Sequence, residues 1–218
     1  MSSLSWPARL ARSIRRAVGR DREARWNAEW ADGAWDRLHA LDELGHHAIL
    51  AGYLARLAPQ GALLDVGCGA GTLLDLLRGG YRRYVGIDFA EPVARLAGRA
   101  SEQTVFVAAD MHDFETAERF DVIVFNESAY YFSDLMRGLR QYEGFLAPGG
   151  LLLVSMHETP KNLTRWESLG ERYRVVDAVT VINQQGTRWT VKVLAPPGAT
   201  ESPNGLPNGA VAEVPTVR

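Results

Sequence analysis

Leu63-Leu64-Asp65-Val66-Gly67-Cys68-Gly69-Ala70-Gly71-Thr72-Leu73-Leu74 restricts the fold of this chain more than any other stretch. An apolar run passes into three alternate glycines, and these pass into a leucine-rich segment. The run reads as a buried strand and the leucines as a helix. Glycines let the backbone turn sharply and let a ligand come close. The helix that follows opens with free N–H groups. A strand, a tight turn and a helix are half of a βαβ unit, which commits the chain to parallel strands covered by helices. In an open sheet of that kind ligands bind at the carboxyl ends of the strands, where this turn lies.

The alternation continues downstream. Arg83–Ile87, Thr104–Ala108, Asp121–Phe125 and Gly150–Met156 read as strands, and residues 71–78, 92–100, 133–145 and 162–169 as helices, with Pro92 at a helix start. Tyr173–Ile182 and Thr187–Leu194, joined by Asn183-Gln184-Gln185-Gly186, read as a hairpin, so the sheet ends in an antiparallel pair. Upstream, Trp26, Trp30, Trp35, Leu38, Leu41, Leu44, Leu50 and Leu54 keep a helical period, broken near Gly33 and Gly45. The expected organisation is an α/β fold in four parts. A basic helix covers 1–25, with Leu10, Ile14 and Val18 as its thin apolar stripe, and a helical cap covers 26–58. A ligand-binding core covers 59–195, and a disordered tail rich in Pro, Gly and Asn covers 196–218. The three tryptophans of the cap either pack it against the core or wall a ligand cavity.

Composition narrows the function classes. A chain of 218 residues, 46% hydrophobic and 23% charged, builds a real core and is no low-complexity protein. The single cysteine, Cys68, excludes a disulfide framework and a multi-cysteine zinc site. No apolar run approaches the ~20 residues of a membrane span, and the start lacks a signal-peptide core, so a soluble cytoplasmic protein is expected. Seven arginines against Asp21 and Glu23 give residues 1–25 a charge of +5, which leaves −7 on the rest of a chain whose net charge is −2. An acidic body argues against nucleic acid as the main partner.

Three carboxylates identify the ligand. The glycines run G-x-G-x-G, with Thr72 where the dinucleotide fingerprint places its third glycine. Asp65, two residues before the first glycine, repels a pyrophosphate and attracts a cation. Both departures weigh against a nicotinamide-dependent oxidoreductase. Asp88, at the end of the next strand, can accept both hydroxyls of a ribose. Asp110, just past the third strand, can accept an amino hydrogen of adenine, with Phe89 and Met111 beside the ring. Helix capping and strand-end chemistry are the structural alternatives for all three. An ammonium, a ribose and an adenine without phosphates describe S-adenosylmethionine, and Asp88→Ala is expected to abolish its binding while leaving the fold intact.

Residues 60–157 resemble the core of a class I S-adenosylmethionine-dependent methyltransferase. The resemblance rests on Leu64-Asp65-Val66-Gly67-Cys68-Gly69-Ala70-Gly71, Asp88, Asp110, Phe120-Asp121-Val122-Ile123-Val124 and Leu146-Ala147-Pro148-Gly149-Gly150. It implies a Rossmann-like seven-stranded sheet, mostly parallel, with an antiparallel last strand and helices on both faces. It also implies that Asp65 with Gly67, Cys68, Gly69 and Gly71 holds the methionine part of the cofactor. Asp88 then holds the ribose, and Asp110 with Met111 the adenine, Phe89 lying beside the ring and Asn126 also on the cofactor side. Cys68 by its own chemistry reads as a small buried filler.

The acceptor side falls to the tips of the fourth and fifth strands. Asn126-Glu127-Ser128-Ala129-Tyr130-Tyr131-Phe132 follows the fourth, and Ser155-Met156-His157-Glu158 ends the fifth. Glu127 or His157 is the candidate proton acceptor, and Tyr130 with Tyr131 would line an acceptor cavity. The structural readings are a capping carboxylate, a hydrogen-bonded surface histidine and a core tyrosine. His46 and His47 sit in the cap without the carboxylate cluster of a metal site, so no metal is expected. The segment resembles the small-molecule branch of the family, including nodulation-type N-methyltransferases that act on an amino sugar. The expected activity is methyl transfer to an oxygen or nitrogen of a sugar or secondary metabolite, by a monomer or a homodimer. The alternative is a cofactor-binding regulatory or scaffold subunit without catalysis.

Overall fold

A computed structural model describes residues 23–199. The basic helix expected over 1–25 lies outside the described residues except for its last three, and the tail expected over 196–218 lies outside them from residue 200 onward. Seven strands form one sheet: β1 Gly61–Val66, β2 Tyr81–Asp88, β3 Thr104–Ala108, β4 Phe120–Asn126, β5 Leu146–His157, β6 Arg174–Ile182 and β7 Arg188–Ala195. The order across the sheet is β3-β2-β1-β4-β5-β7-β6. The first five pair in parallel, and β7 runs antiparallel between β5 and β6. The helices are α1 over residues 23–31, α2 Leu44–Leu57, α3 Thr72–Leu77, α4 Ala90–Arg95, α5 Leu135–Glu143 and α6 Pro160–Gly170.

Two cores flank the sheet, which explains why the central strands are continuously apolar. Leu64, Val66, Ile123 and Phe125 face one side with Leu139 and Tyr142 of α5 and Trp166 of α6. Leu63, Val122 and Val124 face the other with Leu50 and Leu54 of α2 and Leu73 of α3. Every residue of β1 is buried.

Local chemistry moves several element ends from their expected places. The break in the cap falls at residues 40–43 rather than at Gly45, which is already inside α2; Gly33 does break the helix, with φ +74°. The helix expected over 92–100 divides into α4 and a 3-10 turn, Ala97–Arg99. The residue before α4, Phe89, has no capping side chain, and Asn27 of α1 caps from outside by accepting the Glu91 N–H at 3.1 Å. β5 begins at Leu146, ahead of Pro148-Gly149-Gly150, because a register shift against β4 absorbs the extra residues. Asp134 and Thr159 cap α5 and α6 by accepting the N–H groups of Arg137 and Asn162. No helix among the described residues is long and apolar enough to cross a membrane.

Candidate active site

The strand tips bring the candidate residues to one side of the sheet. Asp65 and Asp88 close β1 and β2, Asp110 follows β3, Asn126 ends β4 and His157 ends β5. A cavity of about 250 Å³ lies over these tips, walled by all of them together with Gly67, Cys68, Gly69, Phe89, Met111, Glu127, Tyr130 and Tyr131. Its roof is the cap, through Trp26, Trp30, Trp35, Glu43, His46 and His47. The terminal hairpin adds Thr187 and Trp189.

The glycine turn is built for close approach. Gly67 has φ +78°, and a side chain there would meet Cβ of Ser128 at 2.7 Å. Gly69 has φ +53°, and a Cβ would stand 3.2 Å from the Trp30 ring. Asp88 pins the turn by accepting the Gly69 N–H at 2.8 Å and the Phe89 N–H at 2.7 Å. Burial raises the pKa of Asp88, and these two donors oppose the rise.

Asp65 is 1% exposed. Its Oδ2 accepts the Tyr84 hydroxyl at 2.6 Å, and its Oδ1 has no partner. Burial, with a smaller push from Asp88 and an opposing pull from Tyr84, raises its pKa to about 7. A buried carboxylate oxygen left without a donor calls for a cation or a donor from a ligand. Asn126 likewise keeps a buried Oδ1 without a partner. These atoms beside the glycine turn fit the ammonium, ribose and close backbone contact of S-adenosylmethionine. Asp110 Oδ1 accepts the His112 N–H at 2.9 Å and stands 2.6 Å from His112 Nδ1, so a histidine two residues on steadies the carboxylate.

Glu127 occupies the left-handed region with φ +54°, uncommon for a residue other than glycine or asparagine. The bend turns its carboxylate toward β5. Oε1 accepts the Ser155 hydroxyl at 2.6 Å, and Oε2 accepts the His157 N–H at 2.9 Å and lies 3.0 Å from its Nδ1. The Glu127 carboxylate raises the pKa of His157. Tyr130 stands edge-on to the His157 ring at 5.4 Å; burial, then Glu127, raises its pKa and keeps the hydroxyl protonated. Helix α6 braces both, since Asn162 Nδ2 donates to the His157 carbonyl and Arg165 to the Tyr130 carbonyl.

The cap seals the other wall. Trp26 stacks on Trp35 at 4.9 Å and meets Tyr131 edge-on at 4.8 Å. Arg95 of α4 donates to the Trp30 carbonyl at 2.6 Å and stands over its ring. Sequence reasoning did not find His112, Glu43, Ser155 and Trp189. His112 carried a signal, two residues past a candidate adenine carboxylate. The other three reach the site only through tertiary placement.

A family model described as a methyltransferase domain matches residues 36–189. A dTDP-4-amino-2,3,4,6-tetradeoxy-D-glucose N,N-dimethyltransferase of Saccharopolyspora spinosa is 33% identical over 103 residues, which is 45% of this chain and 41% of that protein. The match thus spans about two fifths of that relative's length. The N-methyltransferase NodS of Bradyrhizobium japonicum, solved with S-adenosylhomocysteine, superposes with a TM-score of 0.63 at 25% identity, over 75% of this chain and 91% of that one. The 1,6-didemethyltoxoflavin-N1-methyltransferase of Burkholderia thailandensis shares the fold, with a TM-score of 0.66 at 20% identity over 90% and 92% of the two chains.

Proposed function

The chain belongs to the methyltransferase domain family, and on that premise we propose that it moves a methyl group from S-adenosylmethionine to a nitrogen or oxygen of a small molecule. One observation carries the reading. A single cavity joins the orphaned Asp65 Oδ1 and the glycine turn to the Glu127–His157 pair. Relatives named for N-methylation and amino-sugar N,N-dimethylation support a small acceptor.

S-adenosylmethionine, when bound, supplies a methyl on a positively charged sulfur, a leaving group already activated. The chain's own work is to bind, align, exclude water and receive one proton. Asp65 Oδ1 accepts from the ammonium, the Gly67–Gly71 turn lets the backbone approach, and Asp88 takes the ribose hydroxyls on its remaining lone pairs. Asp110, held by His112, faces the adenine with Phe89 and Met111. On the acceptor side, His157 presents Nδ1–H to Glu127, which leaves Nε2 as the lone-pair nitrogen. His157 Nε2 takes the acceptor's proton, and Glu127 stabilises the imidazolium that forms. Tyr130, kept protonated, donates a hydrogen bond beside it.

The test is calorimetry of the full chain with S-adenosylhomocysteine, followed by Asp65→Ala. The reading expects binding by the parent and loss in the variant. A parent that does not bind S-adenosylhomocysteine overturns it.

A further inference from the structure

His46 is a fully buried polar side chain of the cavity wall, with 0% of it exposed, and neither ring nitrogen has a hydrogen-bond partner. Its neighbour His47 differs, because His47 Nδ1 meets the Glu43 carbonyl at 3.0 Å. The His46 ring lies between His47 at 4.1 Å and Trp189 of β7 at 4.7 Å, stacked on the latter at 15°. The nearest carboxylate oxygen, Glu43 Oε2, is 3.8 Å from Nδ1, too far for a hydrogen bond. No third ligand joins the two histidines as a metal site would need among the described residues. Burial, then His47, holds the imidazole neutral, with a pKa of about 3. On the same wall the Trp35 indole N–H is also buried without a partner.

The charged groups of this half are two carboxylates with their partners. Glu127 is engaged by Ser155 and His157, and Glu43 lies 3.5 Å from Arg37. What remains unpaired on the cap side is a neutral imidazole, with one donor and one lone pair, and an indole donor. A hydroxyl satisfies the imidazole in both senses, and a second oxygen satisfies the indole. An anionic substituent would lie beside the Glu43 and Glu127 carboxylates, the costlier burial.

We propose that His46 and Trp35 are specificity residues that bind hydroxyl groups of an uncharged, hydroxyl-rich part of the acceptor. This inference rests on reading the cavity as a methyl-transfer site. The two are separable, because S-adenosylhomocysteine binding tests that reading without His46.

The experiment uses the full chain saturated with S-adenosylhomocysteine and two ring probes followed by saturation-transfer NMR: methyl α-D-glucopyranoside and glucuronate. The uncharged glucoside is expected to bind better. His46→Phe, which keeps the ring and removes both nitrogens, should weaken it about tenfold or more, and His46→Gln should restore part of the loss. Trp35→Phe should weaken it to a similar degree and guards against a His46→Phe that fails to fold. S-adenosylhomocysteine affinity should stay at the parent value in all three variants. His46→Phe should also raise the melting temperature of the ligand-free protein by about 2–4 °C, since an unsatisfied buried polar group is gone. Absent glucoside binding by the parent, preference for glucuronate, or unchanged glucoside binding in His46→Phe and Trp35→Phe overturns the proposal.

Discussion

One carboxylate oxygen of Glu127 holds His157 twice, through the backbone N–H at 2.9 Å and beside ring Nδ1 at 3.0 Å. The grip fixes both the place of the histidine and the nitrogen that bears its proton. It reaches across from the tip of β4 to the end of β5.

Glu127→Gln should therefore separate positioning from electrostatics. The Glu127 carboxylate raises the pKa of His157, so the neutral form that accepts a proton dominates only above that raised value. The rate should rise with pH through a limb above pH 6.5, and the limb should move down in Glu127→Gln. Turnover should fall by up to about 100-fold, since the base stays but loses the carboxylate that stabilises its imidazolium. A limb that stays in place removes His157 from the reaction.

Asp65 makes the ligand-free protein sensitive to pH. Its folded pKa, about 7, exceeds the ordinary value of 3.8, so the folded state binds the extra proton. The contribution to stability is fully present below 3.8 and is lost as pH rises to about 7, on the order of a few kcal/mol over the window. Melting curves between pH 4 and 8 should show this slope in the parent and not in Asp65→Asn. Saturating S-adenosylhomocysteine should flatten it in the parent.

Asp88→Ala should cost stability as well as cofactor. Asp88 is the acceptor for two partly buried backbone N–H groups, Gly69 and Phe89. Leaving them unpaired costs about 1–3 kcal/mol each. The expectation that the fold stays intact is thus refined to a native but less stable protein, checked by urea unfolding beside calorimetry.

Gly69→Ala should disturb the cap through the turn. The substitution strains a backbone at φ +53° by about 1–2 kcal/mol and presses on Trp30. S-adenosylhomocysteine affinity should fall about tenfold. Tryptophan emission should shift as Trp30, 4% exposed in the parent, is displaced.

His112→Ala should blunt recognition of the adenine amino group. His112 steadies Asp110 through both its N–H and its ring. The parent should bind S-adenosylhomocysteine at least tenfold more tightly than S-inosylhomocysteine, and the variant should lose most of that preference. Equal selectivity in the two proteins would confine His112 to a packing role.

Most of the frame was legible because its signals are local. The apolar run at 62–66, the glycines behind it and the hairpin turn at 183–186 each determine their own structure, and the three aspartates follow from their places at strand tips. That Asp65, Asp88 and Asp110 line one cavity was thus readable from strand order alone. The cap was less legible. Its tryptophans mark a wall, but no spacing says that Trp26 stacks on Trp35 or that Trp30 rests on Gly69. Asn27, distant in sequence, caps α4 and shifts its start to Ala90, which Pro92 alone placed two residues later. Ser155 and Trp189 became site residues only through the pairing of β5 with β4 and β7.

That β7 slots between β5 and β6 has a consequence for the order of synthesis. A nascent chain emerging as far as Ile182 already contains the three aspartates at the tips of β1 to β3, yet it lacks the tryptophan on which His46 leans. The cavity wall at Trp189 is therefore completed only once the last strand to be made pairs with β5.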